Sequence, residues 1–175
     1  RRRRSSGRPS AASWRSGACH ERSGVELILW RHAEAADGGA DLERPLTAHG
    51  RRQAKQMAQW LAPRLPEDLR ILVSPARRAE ETARALGQPF DIVDAIAPGA
   101  DAQDLIKASG WPDARRPALL VGHQPTLGEA ASLLLGGRAA SWRFAKGAVW
   151  WLRSRERKGR VEAVLLLAIE PEMLR

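Results

Sequence analysis

Three short apolar runs, each followed within a few residues by arginine or histidine, constrain this chain more than any other feature. They are residues 25–30 (VELILW), 70–73 (RILV) and 117–121 (PALLV). Each is long enough for one buried strand and too short for a buried helix. The first leads into Arg31-His32-Ala33-Glu34, the second into Ser74-Pro75-Ala76-Arg77-Arg78, and the third into Gly122-His123-Gln124-Pro125. The segments between them carry helical spacing. Thr47 is positioned as an N-cap, and Ala54, Met57, Ala58, Leu61 and Leu65 follow on one face, closed by Pro63 and Pro66. Ser74-Pro75 opens a second helix, with Pro near its first position, Ala79, Ala83 and Leu86 on its apolar face and Gly87 at its end.

Further along, residues 90–93 read as a short strand, 101–109 as a short helix, and 126–135 as a helix stopped by Gly136-Gly137. Residues 148–152 and 161–169 read as two late strands, separated by a charged turn over 153–160. Strands alternating with helices predict an α/β single domain with a mostly parallel central sheet flanked by helices.

The charge is unevenly spread. The 175 residues carry a formal net charge of +9, yet residues 1–24 alone hold seven arginines against one acid. This segment is rich in Arg, Ser and Gly and has no apolar period, so residues 1–24 read as a disordered basic arm and 25–175 as the folded domain. An acid-poor Arg/Ser segment also matches organellar transit peptides and arms that bind phosphate backbones. The nearly balanced body disfavours nucleic acid as a partner. No apolar run reaches the roughly 18 residues of a membrane span. Cys19 is the only cysteine, which excludes an internal disulfide framework and any cysteine-rich zinc site. The lack of paired cysteines fits a cytoplasmic location.

In open α/β sheets the working residues gather at the carboxyl ends of the strands. The three strand ends would bring two imidazoles and several guanidiniums to one edge. That set suits a phosphate dianion, because arginine forks match its oxygens and stay charged. A neutral imidazole can attack phosphorus through one ring nitrogen while the other gives its proton to a carbonyl. Neighbouring arginines keep such a ring neutral. His32-Ala33-Glu34 imitates the His-x-Glu of zinc deaminases, but its Pro-Cys-x-x-Cys partner is missing. There is no Gly-x-Ser-x-Gly elbow, Walker loop or Gly-x-Gly-x-x-Gly, so no nucleotide cofactor is expected, and no metal. Trp30, Trp60, Trp150 and Trp151 lie within strand or helix patterns, which favours core packing over base stacking.

These residues resemble the histidine phosphatase, or phosphoglycerate mutase-like, superfamily. The similarity rests on four ordered motifs: residues 27–34 (LILWRHAE), 44–54 (RPLTAHGRRQA), 74–83 (SPARRAEETA) and 121–125 (VGHQP). It implies a phosphoglycerate mutase-like fold and a metal-independent phosphatase. It implies His32 as the phosphorylated nucleophile, Arg31 and Arg78 as phosphoryl-oxygen ligands, and His123 as the second pocket histidine. Arg77 and His49 are expected at the surface, and Thr82 as a structural helix residue. The short loop after Arg31-His32-Ala33-Glu34, the absence of glutamate between residues 87 and 117, and the stretch 97–100 (APGA) resemble the SixA-type phosphohistidine phosphatases. The implied substrate is a phosphorylated protein, such as a histidine-containing phosphotransfer domain, with inorganic phosphate as product. The alternatives are a broader phosphomonoesterase or mutase for small phosphorylated substrates, and a non-catalytic phosphate- or nucleic-acid-binding module.

Overall fold

The computed structural model describes residues 24–174. Residues 1–23, on which most of the expected basic arm falls, lie outside the described part, as does residue 175. The elements are β1 (Glu26–Arg31), α1 (Ala48–Leu61), β2 (Arg70–Val73), α2 (Arg77–Arg84), β3 (Asp91–Ile92), α3 (Ala102–Ser109), β4 (Ala118–Gly122), α4 (Thr126–Gly136), β5 (Val149–Arg157) and β6 (Arg160–Ile169). Short 3-10 turns join several of them, including Asp41–Glu43 after β1.

One six-stranded sheet has the order β3-β2-β4-β1-β5-β6. β3, β2, β4 and β1 are mutually parallel, and β5 and β6 complete the sheet as an antiparallel hairpin. The fold is thus the α/β, mostly parallel sheet that the alternating pattern predicts.

Strand alternation sorts the core into two layers. Leu27 and Leu29 of β1 face Leu105 of α3 and Leu127, Ala130 and Ala131 of α4. Ile28 and Trp30 face the other way, onto Met57, Ala58 and Leu61 of α1 and Ala79 and Ala83 of α2. β1 and β4 are buried on both faces, as their near-continuous apolar sequences require. Trp30 is fully buried, with its indole N–H donated to the Gly147 carbonyl. Trp151 donates to Glu26, and Trp60 lies beneath the Arg64 guanidinium. These tryptophans therefore belong to packing.

Two local expectations change. Pro75 does not enter the second helix: Ala76 is the N-cap and α2 starts at Arg77. The charged stretch 153–160 is not a turn. β5 continues through it to Arg157, and the hairpin closes over Lys158 and Gly159 alone, at φ 52 and 73. That pair of positive φ values gives the primed-turn twist that two-residue hairpins favour. The charges sit on exposed positions while Leu152 and Ser154 point inward, so the backbone can pair with β6 throughout. No helix among the described residues is long and apolar enough to cross a membrane.

Candidate active site

The strand order converts sequence-distant residues into neighbours. β1 and β4 lie side by side, with Arg31 in register with Gly122. The next residue of each strand is a histidine, so His32 and His123 emerge together at the carboxyl edge. Their ring centroids are 5.0 Å apart, tilted by 50°. β2 flanks β4 on its other side and delivers Ser74, then Arg78 from the first turn of α2. A cavity of about 330 Å³ opens there, lined by Arg31, His32, Arg78, His123, Asp41, Arg44 and Lys146, among others. All four side chains expected at the site from sequence share this one cavity.

The loop after β1 is clamped from α1, which explains the motif 44–54 physically. Thr47 caps α1, its hydroxyl accepting from the Gly50 N–H and donating to the Glu34 carboxylate. The Gln53 side chain accepts from the Glu34 backbone N–H. Gly50 is required because a Cβ there would stand 1.9 Å from the Glu34 carbonyl oxygen. Thr82 secures the loop from α2, accepting from the Ala33 N–H and donating to the Arg78 carbonyl. Thr82 is thus a structural residue, as expected. Arg77 is exposed and paired with Glu81, and His49 is at the surface.

Ring nitrogens are assigned by their partners. His32 Nδ1 lies 2.7 Å from the Ala33 carbonyl oxygen, which can only accept, so Nδ1 carries the proton and Nε2 the lone pair. His123 Nε2 lies 2.7 Å from Ser74 Oγ, and its Nδ1 is buried without a partner. Ser74 Oγ also accepts from the Ala76 N–H, which leaves its own proton free for His123 Nε2. If the hydroxyl donates that proton, Nε2 accepts it and the ring proton of His123 sits on Nδ1.

Both rings are held neutral. Burial, then Arg78, Arg31 and Arg44, push the His32 pKa down to about 4, against an opposing pull from the Ala33 carbonyl. Burial, then His32 and Arg78, push His123 down to about 3. Unfolded, each ring takes up its proton near pH 6.5. Below that value the unfolded chain therefore binds more protons than the folded one, and stability falls with pH. The loss accumulates between pH 6.5 and the folded values, then levels off. In phosphate-free urea melts the midpoint is expected to fall over this window, and the His32→Gln/His123→Gln double variant to lose that component. An unaltered slope in the double variant would place the titration elsewhere.

A sequence model of the histidine phosphatase superfamily (branch 1) matches residues 27–99. A phosphohistidine phosphatase SixA homolog from Haemophilus influenzae is 33% identical over 134 residues, covering 65% of this chain and 79% of the relative. Phosphohistidine phosphatase SixA of Escherichia coli is 41% identical over 69 residues, 39% of this chain and 43% of the relative. A solved structure of the protein histidine phosphatase SixA with tungstate superposes with a TM-score of 0.71 at 25% identity, covering 86% of this chain and all of that one. The chain belongs to the histidine phosphatase superfamily.

Membership makes the chain a phosphatase of the histidine phosphatase type. Sequence reasoning missed three groups that line the pocket and one buried behind His123. Asp41 and Arg44 come from the loop after β1, where Asp41 accepts hydrogen bonds from both Arg78 and Arg44. Lys146 comes from the loop before β5 and Ser74 from the end of β2. Arg44 and Ser74 stood inside quoted motifs, but no periodicity marks Asp41 or Lys146. Among the described residues no group of three His, Cys, Asp or Glu side chains is arranged to hold a metal ion.

Proposed function

We propose that this histidine phosphatase is a phosphohistidine phosphatase acting on a phosphorylated protein, with His32 as the nucleophile. The observation that carries the reading is the His32 ring itself, with Nδ1 tied to the Ala33 carbonyl and a second imidazole 5.0 Å away in an arginine-lined cavity. In the first step the His32 Nε2 lone pair forms a bond to phosphorus as the bond to the leaving group breaks. Arg31, Arg78 and His123 hold the phosphoryl oxygens and stabilise the charge on them. In the second step water takes the phosphoryl group from His32 and inorganic phosphate leaves.

The leaving group separates protein phosphohistidine from phosphate esters. An alkoxide departs poorly and calls for a general acid. Among the described residues Asp41 is the single carboxylate lining the cavity, and its hydrogen bond from Arg78 holds its pKa below the ordinary carboxylate range. It is therefore ionised at neutral pH and donates no proton to an ester oxygen. An imidazole leaves more readily. The similarity to phosphohistidine phosphatase SixA of Escherichia coli and its homolog from Haemophilus influenzae supports the same choice. A phosphotransfer domain phosphorylated on histidine is the partner class this chemistry calls for. The test is a substrate panel: kcat/KM for a phosphohistidine protein is expected to exceed that for small phosphomonoesters by about 100-fold, the size of one missing proton donor. Preference for an ester would instead favour the broader phosphomonoesterase reading.

A further inference from the structure

The carboxylate of Asp41 is out of place in a site built for an anion. Four cations, Arg31, Arg44, Arg78 and Lys146, line the cavity with it. Its side chain is 56% exposed, while that of Arg78 beneath it is only 6% exposed, so Asp41 stands at the mouth and Arg78 at the wall. Asp41 Oδ2 accepts from Arg78 Nη2 at 3.0 Å and Oδ1 from Arg44 Nη1 at 3.2 Å. A negative charge there repels an incoming phosphate dianion. It gains a purpose if the group carrying the phosphate presents a hydrogen-bond donor of its own.

We propose that Asp41 selects the leaving group, its carboxylate accepting the N–H of the imidazole from which the phosphoryl group departs. The inference rests on the phosphohistidine reading and deepens it. Consider a phosphohistidine whose second ring nitrogen is protonated. When its P–N bond breaks, the bonding electrons return to the nitrogen that carried phosphorus, the far nitrogen keeps its proton, and the ring leaves as neutral imidazole. His32, neutral and protonated at Nδ1, becomes the phosphorylated imidazolium. Phosphorus has moved between two rings of one kind, and no proton has been transferred. Each ring then needs an oxygen acceptor for the N–H on its far nitrogen. The Ala33 carbonyl serves His32. For the substrate ring, at the mouth, Asp41 is the carboxylate in place. Its depressed pKa, caused first by the Arg78 hydrogen bond, keeps it an acceptor throughout.

A positioning role for Arg78 alone would slow every substrate alike, so the ratio of two substrates is the readout. The full chain and its Asp41→Asn and Asp41→Ala variants are assayed on a phosphohistidine peptide and on p-nitrophenyl phosphate, whose leaving group has no N–H. The peptide-to-ester ratio of kcat/KM is expected to fall about 10- to 100-fold in Asp41→Ala, the range for a lost hydrogen bond to a charged group, and by less in Asp41→Asn, whose amide oxygen still accepts. An Asp41→Glu variant is expected to recover part of that ratio. Equal losses on both substrates, or an unmoved ratio, overturn the selection role while leaving the phosphatase assignment intact. A wild-type chain that hydrolyses the ester and leaves the peptide untouched removes the phosphohistidine reading, and this inference with it.

Discussion

Substituting His32 by alanine is expected to lower turnover by about 10⁴-fold or more, in line with the loss of a covalent nucleophile in other hydrolases. The same change is expected to remove the phosphoenzyme. Trapped wild-type protein should carry phosphate that is lost in acid and kept in alkali, the behaviour of a P–N bond. The expectation rests on two features of the ring. The Ala33 carbonyl fixes its tautomer, so Nε2 always presents a lone pair. Burial and the neighbouring guanidiniums hold its pKa near 4, so the lone pair is free over the whole neutral range. His123 is a poorer candidate for attack, because its Nε2 already faces the Ser74 hydroxyl. The alanine variant keeps Arg31, Arg78 and His123, so tungstate or phosphate should still protect it against thermal unfolding. A phosphoenzyme that survives in His32→Ala would move the nucleophile to another residue and dissolve the role assignments made for the cavity.

Much of this site could be anticipated because it is built from strand ends. A buried strand declares itself by an unbroken apolar run, and the residue after it must lie at a sheet edge. Leu27 to Trp30 and Ala118 to Val121 are such runs, and their continuations supply His32 and His123. Their adjacency did not follow from the runs. It depends on β4 inserting between β1 and β2, a crossover that no local pattern encodes. Thr47 was readable as a cap because its hydroxyl acts within one helical turn. Asp41 was not, because its hydrogen bond spans 37 residues to Arg78 and rests on how the loop after β1 folds back. Lys146 likewise reaches the cavity from a loop without periodicity. The extension of β5 through Arg153, Arg155 and Arg157 was hidden by composition. Charged residues on the exposed positions of a hairpin look like a turn until the pairing partner is known.

Loss of the Arg78 side chain is expected to rank second to loss of the nucleophile. Arg78 is 5% exposed, reaches the cavity from the first turn of α2, and is fixed by the Asp41 carboxylate and backbone carbonyl. A donor fixed in this way is already oriented when the phosphoryl group arrives, so it loses little by reorganisation as charge shifts in the transition state. Arg78→Ala is expected to lower kcat/KM by about 10³-fold, between the loss of an oxyanion-hole donor and that of an arginine finger. Arg78→Lys is the sharper experiment. It keeps the positive charge and discards the planar fork, so a site that needed charge alone would recover most of its activity. A site that needs two parallel N–H donors on one phosphoryl group, with two more held by the Asp41 carboxylate and backbone carbonyl, would recover little. The lysine variant is expected to remain about 100-fold below wild type, with weakened inhibition by inorganic phosphate. Near-complete recovery would mean that Arg78 acts through its field and not its geometry. The Asp41–Arg78 contact would then serve the fold of the loop after β1 more than the chemistry of the cavity.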